Sequence, residues 1–480
     1  MAIQTLKSNV NLLDMDATSV AKAIQNREIT ALEAVNTYID HIERVNKKIN
    51  ALVQARFEEA RKEARIIDEK IKNGEMTGRL AGVPITIKDS FDIKGMATTG
   101  GLIHRKNHIA NQDAEVVAKL KKEGAIFLGK TNTPILCFCQ ETDNKLYGRT
   151  NNPWDLSKTA GGSSGGEGSL IGAGGAAVGI GSDIGGSIRF PSHFNGVIGF
   201  KSGNRQVSQV GSFPYVEIPQ QERMLGIGAI GKSVRDAELI NDIIANERPK
   251  DVDLCKFKVI LPLNKIHFPI TQPVLHALKK VKSTIEKHNM PVFDETPPYY
   301  HSSALLWQLI MSIDGGEGGA KIAFGGKPIR PFMEFLKERV GKHSELHYFF
   351  TWATFGANLF RPSPKKIHEI NDSLEKGDQE VGEYLKNAIL ILPVYHTAAL
   401  PHGQVYWELF SIFKTFKKYI PFVAYANTWG LPSLTVPVAD DDNGLPIGVQ
   451  IISSIGNEKA IFQVGEWLEK NLRGYRRVPL

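Results

Sequence analysis

The first seventy residues show the spacing of apolar side chains that is typical of helices. Thr30 and Glu33 stand three residues apart, as in a capping box at a helix N-terminus. The apolar positions that follow recur every three or four residues. They are Val35, Ile39, Ile42, Val45 and Ile49. This period matches the helical repeat and predicts a helix with one buried face.

From about residue 80 the pattern changes to short apolar runs separated by amphipathic stretches. GVPITIK and GAIFLGK have the length and composition of buried strands, and DAEVVAKLKKE between them has the pattern of a helix. Alternation of this kind favours a β-sheet covered by helices. The sequence therefore predicts the α/β class.

Glycine is concentrated in residues 161–199, which hold 14 of the 45 glycines of the chain. A glycine inside a helix costs about 1 kcal/mol relative to alanine, so this density argues against a continuous helix. We expect loops around a strand at 176–181. Residues 300–425 have a mostly helical pattern rich in aromatic residues. The segments NTWGLPSLTVPV and GLPIGVQII after them again have the apolar pattern of strands. The predicted organisation is a single domain, 1–480, with N-terminal helices at 1–74, a core that contains the glycine-rich loops at 75–245, a helical, aromatic-rich region at 300–425 and a return to the sheet at 426–480.

Charge and cysteine content exclude several classes of protein. The 58 basic and 51 acidic residues are spread along the whole chain, whereas a nucleic-acid-binding face would concentrate the basic ones. The N-terminal residues lack the apolar core of a signal peptide, and no window has the roughly eighteen apolar residues that span a membrane, so we expect a cytoplasmic protein. Three cysteines do not indicate a disulfide framework. We interpret Cys137 and Cys139 as buried core thiols, because no second pair stands at zinc-site spacing.

Three motif matches fail because of their context. Residues 124–131, GAIFLGKT, have the P-loop form, but a P-loop follows a strand and here the residues between the glycines are themselves the predicted strand. Residues 226–231, GIGAIG, match a dinucleotide fingerprint without a surrounding βαβ unit, so we expect a turn before the helix SVRDAELINDII. His343 and His347 lack the glutamate of a metalloprotease motif, and we expect them on a solvated helix face. We therefore predict no cofactor and no metal.

One glycine-rich loop suits a serine nucleophile. Ser187 directly follows Gly185 and Gly186, where the missing side chains let a substrate carbonyl approach the backbone. The N–H groups from Ile184 to Ser187 are candidate donors to an oxyanion. His193 falls in no catalytic motif, and we interpret it as a loop residue.

The base that such a serine needs is less clear from the residues alone. Lys88 ends the apolar strand VPITI, and a lysine removed from water favours its neutral form and can act as a base. A structural lysine paired with the adjacent Asp89 or with another carboxylate explains the same position equally well. Both interpretations stay open at this point.

Three motifs in combination resemble a known family. VPITIKD, GGSSGGEG and GSDIGGSIRFP resemble the three landmarks of the amidase signature hydrolases, in the same order. The spacing is similar too, with Ser163 and Lys88 lying 24 and 99 residues before Ser187. The similarity runs from about residue 15 to the closing segments GLPIGVQII and EWLEK. It implies the amidase signature fold, a large twisted mixed β-sheet with helices on both faces, a helical N-terminal segment and a helical region in the second half.

The resemblance also implies roles for individual residues. It implies a Ser-Ser-Lys triad with Ser187 as nucleophile, Ser163 as a bridging serine after a cis peptide bond, and Lys88 as the base. The implied oxyanion hole consists of the N–H groups of Ile184, Gly185, Gly186 and Ser187. The implied supporting residues are Ser164, Asp183 and Arg189. In the implied reaction, Ser187 attacks an amide carbonyl, the amine leaves, and water hydrolyses the acyl-enzyme.

Two branches of the family compete for the substrate. The glutaminase subunit of a tRNA-dependent amidotransferase usually has a small residue where this chain has Glu167, and its glutamine-binding segment has no convincing match in NLFRPSPKKIHEIND. The motifs are more similar to the fatty-acid-amide-hydrolase-like branch, and the aromatic stretches 346–360 and 407–420 suit an apolar acyl channel. We therefore predict an amidase for a small-molecule amide with an apolar acyl group; the alternative is the glutaminase subunit. A non-catalytic binding subunit is disfavoured because all three triad positions are intact.

The stretch 407–420 allows one more interpretation. Its lysines lie beside its phenylalanines, a pattern that also suits a membrane surface. These residues are Lys414, Lys417, Lys418, Phe410, Phe413 and Phe416. We favour a core helix or pocket wall over membrane contact. Homo-oligomerisation stays open.

Overall fold

The computed structural model describes residues 11–326, 330–341, 344–411 and 419–480, with only the backbone described at Arg339 and Phe410. This part of the chain contains 11 strands in one sheet and 17 helices.

The strands are β1 (Leu52–Ala55), β2 (Pro84–Lys88), β3 (Ile126–Thr131), β4 (Val178–Asp183), β5 (Ile198–Lys201), β6 (Gly226–Gly231), β7 (Lys258–Ile260), β8 (Val292–Phe293), β9 (Ala388–Pro393), β10 (Ser433–Asp440) and β11 (Pro446–Ile452). The helices are α1 (Ala17–Gln25), α2 (Ala31–Ile49), α3 (Phe57–Lys72), α4 (Glu115–Lys122), α5 (Gly165–Gly172), α6 (Arg189–Asn195), α7 (Pro219–Glu222), α8 (Val234–Ile244), α9 (Gln272–Lys287), α10 (Ser303–Met311), α11 (Glu317–Ala323), α12 (Pro331–Arg339), α13 (Tyr348–Leu359), α14 (Pro364–Leu385), α15 (Gln404–Phe410), α16 (Pro421–Thr428) and α17 (Glu458–Asn471).

The sheet is mixed. Its strand order is β1-β3-β2-β4-β6-β5-β10-β11-β9-β7-β8. Strands β3, β2 and β4 run parallel, as do β9, β7 and β8. The pairings from β4 through to β9, and that of β1 with β3, are antiparallel. The predicted α/β class with a large mixed sheet is confirmed.

Helices cover both faces of this sheet. Leu434 of β10 lies against Gly465 of α17 on one face. The next residue, Thr435, pairs with Gln450 of β11, which accepts a hydrogen bond from Arg189 of α6 on the other face. Successive residues of a strand point to opposite faces, so the two helices lie in different layers.

The N-terminal segment begins as the sequence predicts. The Thr30 hydroxyl accepts the N–H of Glu33 at 3.0 Å, and the Glu33 carboxylate accepts the N–H of Thr30 at 2.7 Å, so the capping box is present. The apolar face of α2 is buried. The expectation of helices alone is wrong at β1, a strand of four residues that is too short to show an apolar period.

Besides β1, three strands differ from the expectations. Residues 226–231 form β6, fully buried between β4 and β5, and not a turn. Their glycines are needed for close strand packing, since a Cβ at Gly228 would lie 2.0 Å from the carbonyl oxygen of Phe200. Strand β9 interrupts the region predicted as helical, and β4 begins two residues later than expected. Strand β3 occupies most of the P-loop match, as predicted.

The basic and aromatic stretch of α15 and the residues after it is only partly described. Its three lysines, together with Phe413 and Phe416, lie outside the described residues. Within the described ranges, no helix combines the length and apolar composition needed to cross a membrane. Membrane-surface contact and the division of the domain into segments stay predictions.

Candidate active site

Lys88 lies in the interior at the end of β2. All five residues of the strand are buried, and Nζ of Lys88 lies 2.7 Å from Oγ of Ser163 and 3.1 Å from Oγ of Ser182. Burial lowers the pKa of Lys88 below its ordinary value, because the charged form loses its hydration. Asp89 pairs instead with Lys130, at 3.1 Å. Lys88 therefore forms no ion pair with its neighbour Asp89, and its role as a base stays a prediction.

Ser163 lies in a tightly packed loop before α5. The peptide bond between Gly162 and Ser163 is cis, as the resemblance implies. A Cβ at Gly162 would lie 2.7 Å from the backbone nitrogen of Glu141, so only glycine fits there. The next residue, Ser164, is also fully buried, and its N–H donates to the carbonyl oxygen of Ser187 at 3.1 Å. This bond ties the two glycine-rich loops together.

The loop that carries Ser187 is organised around a buried carboxylate. Asp183 accepts the N–H of Gly186 at 2.8 Å and that of Ile188 at 3.1 Å, and it pairs with Arg189 at 3.0 Å. Burial alone would raise the pKa of Asp183, but the charge and hydrogen bonds of Arg189 overcome it and hold the pKa well below its usual range. Arg189 also donates to Gln450 at 2.8 Å. The ion pair therefore fixes this loop to the sheet.

The four predicted oxyanion donors are not equivalent. The N–H of Gly186 is already donated to Asp183. Within the described part of the chain, the N–H groups of Ile184, Gly185 and Ser187 have no hydrogen-bond acceptor. The oxyanion-hole assignment stays a prediction, and Gly186 is its least available member.

Two side chains that the sequence analysis missed hold the carbonyl groups of this loop. Nε1 of Trp307, in α10, donates to the carbonyl oxygen of Ile184 at 2.8 Å. Nε2 of Gln140 donates to that of Gly185 at 3.1 Å. Both come from segments distant along the chain, and no motif marks them.

Glu167 is hydrogen-bonded to both β2 and β3. It is fully buried in the first turn of α5, and its two carboxyl oxygens are hydrogen-bonded by the hydroxyls of Thr86 and Thr131 at 2.6 and 2.7 Å. Burial raises the pKa of Glu167 to about 7. In the sequence, Glu167 only distinguishes between branches of the family, whereas the structure places it beside the strand that carries Lys88.

Cys137 is not the core thiol that the sequence predicts. Cys139 is buried, but Cys137 is partly exposed and lines two cavities that contain Ser187. The Thr133 hydroxyl lies 3.5 Å from its sulfur, and the proximity of Cys137 to Lys88 opposes the lowering of the Lys88 pKa by burial. The interpretation is therefore right for one cysteine and wrong for the other.

His193 and His347 are buried, and their rings form hydrogen bonds with the backbone. His193 lies in α6, not in a loop, and its ring accepts the N–H of Gly448 at 2.8 Å and donates to the carbonyl of Thr397 at 2.9 Å. Burial lowers the pKa of His193 to about 4. His347 is buried at the start of α13 and not on a solvated face, while His343 lies outside the described residues. Among the residues described, no cluster of three or more His, Cys, Asp or Glu side chains could hold a metal.

Two cavities meet at Ser187. The smaller has a volume of about 230 Å³ and the larger of about 680 Å³. They share the wall residues Cys137, Phe138, Ile184, Ser187 and Met311. The described lining of the smaller cavity carries no charged side chain and includes Leu305, Trp307, Trp352, Ala353, Phe360 and Leu409. The larger cavity also reaches Ser163 and Ser182.

The fold and this site together define an amidase. Residues 33–462 match the family model described as Amidase. The chain belongs to the amidase signature family of hydrolases, and the resemblance seen in the sequence is confirmed.

Individual relatives place the chain within this family. It is 34% identical over 501 residues to fatty-acid amide hydrolase 2-A of Danio rerio, covering 97% of this chain and 90% of the relative. It is 29% identical to a glutamyl-tRNA(Gln) amidotransferase subunit of Carboxydothermus hydrogenoformans, covering 98% and 100%. A solved structure named fatty acid amide hydrolase matches with a TM-score of 0.81 at 20% identity, covering 96% of this chain and 85% of that one. The structural match supports the fold alone.

Proposed function

We propose that this protein hydrolyses a carboxylic amide with an apolar acyl group through an acyl-enzyme on Ser187. The observation that carries the proposal is the contact of 2.7 Å between the fully buried Lys88 and Ser163, at the edge of a cavity that contains Ser187. A lysine with a lowered pKa beside a serine hydroxyl is the arrangement that general-base activation requires.

The proposed first step moves two protons. Neutral Nζ of Lys88 accepts the proton of the Ser163 hydroxyl, and Ser163 accepts the proton of Ser187 as Oγ of Ser187 attacks the amide carbonyl. The N–H groups of Ile184, Gly185 and Ser187 donate to the oxyanion of the tetrahedral intermediate.

The relay then runs in the opposite direction. Ser163 donates a proton to the leaving nitrogen, which departs as the neutral amine or ammonia, and Lys88 returns a proton to Ser163. Water attacks the acyl-Ser187 ester and loses a proton to Ser163, whose own proton passes to Lys88. As the tetrahedral intermediate collapses, the bond between the acyl carbon and Oγ of Ser187 breaks, Ser163 donates a proton to this oxygen, Lys88 returns one to Ser163, and the carboxylic acid is released. All steps use side chains and backbone groups of this chain.

The shape of the site supports the proposed substrate class. An uncharged cavity lined by leucine, tryptophan and phenylalanine suits a hydrocarbon chain, because burial of apolar surface is favourable. The similarity to fatty-acid amide hydrolase 2-A agrees with this chemistry. The similarity to an amidotransferase keeps glutamine as the competing substrate.

The test is a substrate screen with the purified protein. Decanamide, N-decanoylethanolamine, decanoyl anilide and glutamine are compared by kcat/KM, and glutamine is also tested with ATP. We expect turnover of the decanoyl amides and little of glutamine. Turnover restricted to glutamine would show that the chain is a glutaminase.

Active-site labelling separates an enzyme from a binding protein. We expect a fluorophosphonate probe to label the wild type and not Ser187→Ala. Ser302→Ala, at an exposed serine before α10, is the matched control and should label normally. Equal labelling of wild type and Ser187→Ala would contradict the proposed nucleophile.

A further inference from the structure

The two cavities at Ser187 differ in charge. Against the uncharged lining of the smaller one, the larger cavity contains the charged or titratable side chains His104, Arg105, Glu217, Asp314 and Lys321. Ser187 lies where the cavities meet, so an amide bound there has its acyl group on one side and its amine on the other. If the acyl chain occupies the uncharged cavity, the amine portion faces these charged groups.

Among these side chains, that of Arg105 is held in place by an aromatic contact and a hydrogen bond. Its guanidinium lies over the Phe213 ring, with Cζ 3.7 Å from the ring centroid, and Nε donates to the carbonyl of Thr98 at 3.0 Å. The contact with the Phe213 ring and the hydrogen bond to Thr98 together restrict the orientation of the guanidinium group. Phe213 lines the same cavity.

The outer nitrogens of this guanidinium remain available. Within the described residues, Nη1 and Nη2 of Arg105 form no hydrogen bond and no ion pair, whereas Nε is engaged. The charges of Asp92 and Asp89 oppose the lowering of the Arg105 pKa by burial, but neither aspartate forms an ion pair with Arg105. A half-buried guanidinium normally pairs directly with a carboxylate, because burying its charge alone is costly.

The other charged groups of this cavity are less suited to bind an anion. Asp314 already accepts the N–H groups of Gly316 and Gly318, at 3.0 and 2.9 Å. Lys321 and Glu217 are exposed at the surface end of the cavity. A negative group inside the cavity therefore finds its best partner in Arg105.

We propose that Arg105 binds a carboxylate on the amine portion of the substrate, so that the preferred substrates are N-acyl amino acids with an apolar acyl chain. This inference rests on the proposed function. It adds the chemical class of the leaving group, an amino acid whose carboxylate forms a two-pronged contact with Nη1 and Nη2. Hydrolysis then yields a fatty acid and a free amino acid, with the same proton relay.

The experiment compares a carboxylate with a neutral group of similar size. N-decanoylglycine, N-decanoyl-β-alanine and N-decanoyl-4-aminobutyrate place the carboxylate at increasing distance from the amide, and N-decanoylethanolamine is the neutral reference. The measured quantity is the ratio of kcat/KM for the best carboxylate substrate to kcat/KM for the reference.

We expect Arg105→Gln to lower this ratio roughly 10- to 100-fold, the range for a lost hydrogen bond to a charged group, while turnover of N-decanoylethanolamine stays within about twofold. Arg105→Lys should restore part of the ratio, since lysine keeps the positive charge but lacks the paired N–H donors of the guanidinium group. Lys321→Gln, at an exposed cation of the same cavity, is the control and should leave the ratio unchanged.

Each other outcome has a distinct meaning. A ratio that is equal in wild type and Arg105→Gln, with the neutral substrate still hydrolysed, overturns the role of Arg105 and leaves the proposed function standing. If Lys321→Gln lowers the ratio as much as Arg105→Gln does, the carboxylate is attracted by general charge and not by Arg105. If the wild type hydrolyses none of these amides, the proposed function fails and the inference falls with it.

Discussion

Replacing Glu167 by glutamine tests how the buried carboxyl group beside β2 affects both stability and Lys88. Glutamine has nearly the same shape as protonated glutamate and can donate to one threonine and accept from the other, so Thr86 and Thr131 keep their partners. The variant therefore removes the titration of this site and little else.

The magnitude follows from the pKa of Glu167. Its rise from 4.5 to about 7 corresponds to about 3 kcal/mol, at about 1.4 kcal/mol per pKa unit. The folded protein binds this proton more tightly than the unfolded chain, so the wild type loses stability as pH rises from about 4.5 to about 7 and stays lower above that. Glutamine has no such loss.

Urea denaturation of the two proteins between pH 5 and 9 measures this effect. Other groups also titrate in this range, so the quantity to compare is the free energy of unfolding of Glu167→Gln minus that of the wild type at each pH. We expect this difference to rise in favour of the variant by up to about 3 kcal/mol between pH 5 and 8. A difference that does not change with pH would show that Glu167 does not titrate with a raised pKa in the folded protein.

The same variant has an expected effect on catalysis. Burial is the largest influence on the pKa of Lys88 and lowers it, while the negative charge of Glu167 raises it. Removing that charge should lower the pKa of Lys88 further and move the acid limb of the kcat/KM profile to lower pH. A shift to higher pH would contradict the assignment of this limb to Lys88.

Four further substitutions test the rest of the site. Ser187→Ala and Lys88→Ala should each lower kcat/KM for decanamide at pH 7 by about 10³-fold or more, and an activity near the wild type would exclude the assigned role. Asp183→Asn should lower the free energy of unfolding by about 3 to 5 kcal/mol because Arg189 is left buried with its charge uncompensated, and a urea midpoint like that of the wild type would contradict this. Trp307→Phe removes the donor to the loop carbonyl and should lower kcat about tenfold with little change in KM, less than the 10²-fold or more lost with an oxyanion donor itself. An effect on KM alone would indicate that Trp307 only lines the cavity.

The sequence predicts the fold well where local pattern and final environment agree. Helix α2 has both a capping box and a regular apolar face, and strands β2 and β3 are continuous apolar runs. Prediction fails at β6, whose glycines resemble a turn until the neighbouring strand is known. A close approach between β6 and β5 is a property of the tertiary structure, and no local signal encodes it.

In the candidate site, too, some residues are predictable from local sequence motifs and others depend on tertiary contacts. Lys88 and the serines stand in motifs, so their positions are predictable and their proximity follows from the parallel pairing of β2 with β4. Gln140, Trp307 and Arg105 act through contacts with segments far away in the sequence, so each is an ordinary residue when the sequence is read alone. The roles of the motif residues stay predictions that the substitutions above can test.

The geometry of the loop before Ser187 explains why distant residues are needed. A peptide unit is planar, so fixing the carbonyl of one residue also fixes the N–H of the next. Trp307 holds the carbonyl of Ile184 and thereby orients the N–H of Gly185, which has no acceptor among the described residues. The following unit is held at both ends, by Gln140 at its carbonyl and by Asp183 at its N–H. This N–H, a predicted oxyanion donor, is therefore oriented by a side chain that also lines the uncharged cavity. Under the proposed function, the same indole ring affects both the position of the acyl group and the orientation of this donor.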